Sequence, residues 1–463
     1  MRPSPRITSL PYFSDSAQWF ACLADWDAPV WLDSGHPGSH YGRFDILAAE
    51  PGTQLTCRGT HCDIHRLGQA PERRRAPPLE VVRQLMPPPL APLEEVPFAT
   101  GAIGYFGYDL ARRLERLPEQ ADADITLPDL WLGFYDWAIV QDHQTSRAYL
   151  VTRPERDIEQ VHARLLAKAP ENALDDFLEE TKNNFIISRF SAELNADSYH
   201  KKLDRILDYI HAGDCYQINL AQRFHADYQG NPARAFLALR QALPSPFSGF
   251  IPLADGAVIS LSPERFIALQ NGQAETRPIK GTAPRRNDPE ADRAEAQALA
   301  QSAKNRAENL MIVDLLRNDL SKCCHNVRTP KLFELQSFAN VHHLVSTVTG
   351  ELNPDADALT LLAGSFPGGS ITGAPKVRAM EIIEELEPVR RSVYCGSLGY
   401  LSADGNMDTS IAIRTLVCDQ GRVYCWGGGG IVADSEPESE YEESWNKVRV
   451  LMETLEREFS GKP

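Results

Sequence analysis

The chain has 463 residues, 43% of them apolar and 24% charged, with a formal net charge of −16 at pH 7. That length allows one large core or two domains, and the acidic balance argues against a nucleic acid or an anionic membrane as partner. Nine scattered cysteines make no disulfide framework and no apolar run nears a signal peptide or a span of ~20 residues, so a reduced, cytoplasmic protein is expected.

Residues 1–150 alternate strand-like runs at 28–32, 44–48 and 137–141 with turns, and form the expected N-terminal region. A Pro/Arg-rich stretch at 71–97 carries one short helical segment at 79–85. Cys57, His61, Cys62 and His65 have neither the spacing of a zinc finger nor an answering CxxC pair, which reads as a hairpin with incidental thiols and imidazoles. A charged helix at 158–166 and an acidic segment at 175–182 make a connector over 151–190. The motif-dense remainder, 191–463, is the expected catalytic domain.

In that remainder Tyr199, Leu203, Ile206, Leu207 and Ile210 recur at helical spacing, with Gly213 as the stop. Asp288-Pro289 is an N-cap and first-turn pair for an alanine-rich helix, and another helix runs from Pro375 to about residue 387. Strand candidates lie at 257–261, 266–269, 341–349, 396–401, 409–417 and 423–427. Paired strands with separate helices predict an α+β fold of antiparallel sheets. Neither GxGxxG nor a P-loop sits between a strand and a helix, so no nucleotide cofactor is expected.

The last helix carries an apolar stripe of Tyr441, Trp445, Val448, Met452 and Leu455. Beside it Glu440, Glu443 and Lys447 share a face, either as a solvated flank or as carboxylates aimed into a cleft. The preceding run Gly427–Gly430, where backbone can approach a ligand closely, and Glu308 at a motif start favour the cleft. Such acids suit Mg²⁺, a hard cation with oxygen ligands, and suit zinc poorly. Lys280, in Pro-Ile-Lys-Gly-Thr-Ala-Pro (278–284), is presented from a turn, as a nucleophilic amine or simply a cation. Glu264, in Ser-Pro-Glu-Arg-Phe, is a general acid if buried and a surface flank if not. Arg414, in Ile-Ala-Ile-Arg-Thr, offers the fork that grips a carboxylate. Gly368-Gly369 and Gly373-Ala374-Pro375 either turn a helix N-terminus toward an anion or make a tight turn.

Together with Glu-Asn-Leu-Met-Ile-Val-Asp-Leu-Leu-Arg-Asn-Asp (308–319), Gly-Ser-Phe-Pro-Gly-Gly-Ser-Ile-Thr-Gly-Ala-Pro-Lys (364–376) and the glycine and glutamate run at 427–443, these residues resemble the chorismate-utilising enzymes. The likeness is strong over 195–450 and weaker before it. It implies two packed antiparallel β-sheets flanked by helices, with the active site between them. Glu308, Glu440 and Glu443 fall at the family's Mg²⁺ positions and Glu264 at its general acid. His343, Arg414, Gly429, Lys447 and Thr282 are the implied substrate contacts.

Lys280 resembles the branch that turns chorismate plus ammonia into 4-amino-4-deoxychorismate, the precursor of p-aminobenzoate and folate. There the lysine is the proposed nucleophile, adding at C2 as the C4 hydroxyl leaves, until ammonia adds at C4 and displaces it. The anthranilate-forming branch, which releases pyruvate, typically carries alanine at this position and is the alternative. Isochorismate- and salicylate-forming relatives use a lysine base where Gln217 stands, and glutamine cannot activate water in that way. A non-catalytic binding subunit is the third reading, set against the intact acids.

The segment Leu32-Asp33-Ser34-Gly35, with Tyr41-Gly42-Arg43-Phe44-Asp45, resembles the element that binds tryptophan in related subunits. Pro246-Phe247-Ser248 looks like its other wall, and an ordinary hairpin is the alternative. No glutamine amidotransferase segment is recognisable, so the expected partner is a separate glutaminase subunit supplying ammonia. The length leaves no room for a fused pyridoxal-phosphate lyase, so pyruvate should stay on the product.

Overall fold

The structure is a computed structural model that describes residues 2–39, 42–168, 170–182, 184–337 and 341–461. Continuous apolar runs such as Ala257-Val258-Ile259-Ser260-Leu261 belong to strands buried on both faces. In Gly256–Ser262 successive side chains alternate: Val258 enters one core, while Ala257, Ile259 and Leu261 enter another. The first core lies between two antiparallel sheets, where Val258 and Val417 share one cluster with Ile103, Phe266 and Leu398. The second lies outside the first sheet, under helices that bring in Trp19, Phe236, Leu451 and Leu455.

Among the described residues one sheet has 13 strands and the other 12. The first runs from Arg6–Leu10 at one edge to Phe185–Ile187 at the other; the second runs from Ile279–Pro284 to Glu72–Arg75. Both sheets take strands from 1–150 and from 191–463. Val30–Asp33 pairs with Phe247–Leu253 in the first, and Gly101–Phe106 with Ser397–Ser402 in the second. The segment 175–182 lies largely within a helix, Ala173–Glu180, which buries Phe177 beside Phe20.

Capping sets several helix starts. The side chains of Asp157, Asn195 and Asp288 each accept a backbone N–H of the following turn. The alanine-rich helix stops at Gln301, and Ser302 caps a second helix, Ala303–Ser321, which carries Glu308. No helix among the described residues is long and apolar enough to cross a membrane.

One expected strand is two. The run 409–417 divides into Met407–Ile411 in the second sheet and Thr415–Asp419 in the first, so the chain crosses between sheets at 412–414. Arg414 makes that crossing with φ of 49°, a left-handed conformation uncommon outside glycine, which an apolar, β-branched run does not announce. In the hairpin Thr53–Arg58/His61–Arg66, Cys57 faces Cys62 inside the core while His61 and His65 are exposed, so the four side chains do not converge.

Candidate active site

Glu264 and Arg414 both stand where the chain passes from one sheet to the other. Ser262 ends a strand of the first sheet and Arg265 begins one of the second. Between them Ser262 Oγ donates to the Ile411 carbonyl at 2.6 Å, and Ile411 N–H donates to the Glu264 carbonyl at 3.0 Å. These bonds tie the two crossings together. Glu264 is only 6% exposed and accepts from Ser370 Oγ at 2.9 Å. Burial raises its pKa to about 7, against the opposing pull of Lys280, the Ser370 hydroxyl, the Ile279 N–H and Lys447.

Lys280 comes from the edge strand Ile279–Pro284. The register against Val341–Leu352 shifts between Ile279 and Thr282, and Gly281 there has φ of 84°. Such a bulge re-aims a side chain. A Cβ at Gly281 would also come within 2.9 Å of Leu299 Cδ1. The Lys280 amine donates to the Ser370 carbonyl at 3.4 Å. Burial lowers its pKa and Lys447 adds to this, while Glu264, Glu308 and Glu443 oppose it. A carboxyl pushed up and an amine pushed down, both bonded to Ser370, are a candidate acid and nucleophile.

Across the same ladder Thr282 faces His343, with Oγ1 2.9 Å from Nδ1. Burial, and then the Arg414 charge, bring the imidazole pKa down to about 4, so His343 is neutral at pH 7. The Arg414 guanidinium makes no ion pair or hydrogen bond among the described residues, and burial alone lowers its pKa. A desolvated guanidinium without an acid partner suits an incoming carboxylate.

The acids lie on two helices, Glu308 on Ala303–Ser321 and Glu440 and Glu443 on Pro437–Phe459. Burial raises Glu308, with Asp434 and Glu443 adding repulsion. Burial also raises Glu440, which Ser435 Oγ partly offsets by donating to Oε1 at 2.7 Å. At Glu443 burial is outweighed by Lys447, whose amine lies 2.6 Å from Oε1 and donates to the Gly428 carbonyl at 2.6 Å, leaving the pKa lowered. Gly429 completes the cradle, since a Cβ there would lie 2.8 Å from Glu440 Oε2 and 3.3 Å from Glu443 Oε1.

No three acidic, imidazole or thiol groups among the described residues form a ready coordination shell. The donor set nevertheless fits Mg²⁺: carboxylates that repel one another beside open backbone suit an ion that binds through one or two acids and keeps water and substrate oxygens.

The family model for chorismate binding enzymes matches residues 28–453. The chain belongs to that family. It is 46% identical to "Aminodeoxychorismate synthase component 1" of Escherichia coli (strain K12), covering 98% of this chain and 99% of that one. It is 40% identical to "Anthranilate synthase component 1" of Thermus thermophilus, covering 80% and 81%. The crystal structure of anthranilate synthase component I from Streptococcus pneumoniae TIGR4 superposes with a TM-score of 0.76 at 32% identity, over 89% of this chain and 92% of that one. The expected pair of antiparallel sheets with flanking helices is thus the fold observed.

Beside this candidate site lies a cavity of about 680 Å³, lined by Ser34, Gly42, Arg43, Phe44, Pro246, Phe247 and Ser248. These are the residues read as a tryptophan element; Tyr41 lies outside the described residues. Pro263 and Ile279, the chain neighbours of Glu264 and Lys280, line the cavity as well. Asp45 Oδ1 accepts the Ser34 N–H at 2.7 Å, and Arg43 pairs with Asp142 at 2.7 Å, fixing two of its walls.

Sequence reasoning passed over Ser370, which joins Glu264 to Lys280; only its place in a glycine-rich motif could have drawn attention to it. The 3₁₀ turn Gly369–Ile371 presents it, and Gly373–Ala374 pairs with the start of Gln217–Gly230. Gln217 is 1% exposed, and its Nε2 finds no partner among the described residues.

Proposed function

We infer that this chorismate-binding enzyme is an aminodeoxychorismate synthase component 1, aminating chorismate at C4 to give 4-amino-4-deoxychorismate. The observation that carries the reading is Lys280, a desolvated amine bonded to the same serine as a carboxyl whose pKa lies near 7.

In this reading Arg414 grips a substrate carboxylate, with the neutral Thr282–His343 pair beside it. Glu264 in its acid form protonates the C4 hydroxyl, which leaves as water. The neutral Lys280 amine forms a C–N bond at C2 as both ring double bonds shift and the C4–O bond breaks. Ammonia then adds at C4, both double bonds return, and the C2–N bond breaks to restore the amine. The proton released from the new ammonium goes to the Glu264 carboxylate. Glu308, Glu440 and Glu443 would hold Mg²⁺, which would supply positive charge for a substrate carboxylate. Lys447 sets the field at both Lys280 and Glu443.

Ammonia comes in this reading from glutamine through a separate glutaminase subunit, in keeping with a component 1. The cavity at Ser34 and Phe247 is proposed to take tryptophan, as structural ligand or regulator.

The competing reading is anthranilate formation, in keeping with the relatives of that name, and it requires amination at C2 with loss of pyruvate. Purified protein with chorismate, Mg²⁺ and ammonium, with and without an aminodeoxychorismate lyase, separates the two by mass. Lyase-dependent p-aminobenzoate supports C4 amination. Fluorescent anthranilate and pyruvate without lyase reject it.

A further inference from the structure

Ser370 touches both groups of the reacting pair, one through its hydroxyl and the other through its carbonyl. We propose that Ser370 is a positioning residue that couples Glu264 and Lys280, so that a change at one is felt at the other. The assignment rests on the C4-amination reading and goes beyond it by naming what holds acid and amine in register.

Ser370 is held from outside the site. It is 7% exposed, within the turn Gly369–Ile371. Arg391 Nη1 donates to the Ile371 carbonyl at 2.9 Å, Asn219 N–H donates to the Thr372 carbonyl at 2.8 Å, and Thr372 Oγ1 donates to the Gly368 carbonyl at 3.0 Å. At Gly369 a Cβ would come within 2.4 Å of Leu315 Cδ2, so a side chain there would require that leucine to move. A turn fixed on all these sides presents its two polar groups at set positions. The charged groups facing Glu264 are Lys280 and Lys447, and those facing Lys280 are Lys447, Glu264, Glu308 and Glu443.

The hydroxyl donates to the ionised carboxylate, so removing it favours the acid form of Glu264. Glu264 then loses charge over a range where it formerly countered the Lys280 ammonium, and the neutral amine becomes more populated. Two readouts of Ser370→Ala follow. In the C4-amination assay kcat should fall about tenfold with little change in KM for chorismate, and the descending limb of the pH profile should move up by about half a unit. Carbamylation of Lys280 by cyanate, read by peptide mass spectrometry without substrate, should run about twofold faster at pH 7.5. Ser370→Thr keeps a hydroxyl and should return both readouts toward wild type.

A pH limb and a carbamylation rate both unchanged in a folded Ser370→Ala protein would overturn the assignment. Wild-type protein that forms no 4-amino-4-deoxychorismate would overturn the reaction reading instead, and the cyanate ratio would still judge Ser370 by itself.

Discussion

Lys447 Nζ lies 2.6 Å from Glu443 Oε1, one turn apart on the last helix, and the same amine donates to the Gly428 carbonyl. An i,i+4 pair is ordinary on a helix surface. Here its two charges also reach Lys280, which Lys447 pushes toward the neutral amine and Glu443 holds back. Lys447→Gln should therefore raise the pKa of Lys280 and displace the ascending limb of the kcat/KM profile to higher pH. An ascending limb in its wild-type position would show that Lys447 serves only to pair Glu443.

Glu264 trades stability for chemistry. Its pKa is raised to about 7 in the folded protein against 4.5 for the ordinary carboxyl, so the folded state binds the proton more tightly. This favourable difference is fully present below pH 4.5 and is lost as pH rises through about 7. The loss is on the order of 3 kcal/mol. Glu264→Gln should flatten the pH dependence of Tm across that window and raise Tm at pH 8, while kcat falls by about 10²-fold or more. Thermal scans from pH 4.5 to 8 beside activity assays check both halves.

Arg414 makes the complementary case for binding. Its half-buried guanidinium has no anionic partner among the described residues. Arg414→Gln should leave the ligand-free Tm unchanged or higher, yet raise KM for chorismate by about ten- to a hundredfold. Arg414→Lys should recover little, because an ammonium cannot reproduce the planar fork. A chorismate-induced Tm shift that survives in Arg414→Gln would place the carboxylate contact elsewhere.

The acids on the two helices predict a metal dependence. Chelation should abolish turnover and added Mg²⁺ should restore it. Glu440→Gln should raise the Mg²⁺ concentration needed for half-maximal activity by about tenfold or more, with the fold intact. Titration calorimetry of Mg²⁺ into the variant without chorismate gives a readout independent of catalysis. Equal Mg²⁺ affinity in wild type and variant would remove Glu440 from the ligand set.

How much could be read beforehand depended on the range of the signal. The strand Phe44–Ala48 and the helix Ile158–Leu166 were legible because a short apolar run and a charged helical stretch are both signals that act within a few residues. The acids of the last helix were legible for the same reason: their shared face follows from spacing alone. The split at Arg414 was not, because a left-handed non-glycine residue leaves no mark in an apolar, β-branched run. Nor was the part played by Ser370, whose partners are 90 and 106 residues away in the chain. Only the packing of two sheets brings them together.

The cavity and the reaction site share two stretches of backbone. Pro263 and Ile279 line the cavity, and the very next residues, Glu264 and Lys280, carry the proposed chemistry. Along these two stretches a single peptide separates the cavity lining from the residues of the proposed chemistry. A substitution at Ile279 that alters what the cavity admits also disturbs the bond from its N–H to Glu264 and the bulge that aims Lys280. Ligand preference at the cavity and rate at the proposed site should therefore vary together.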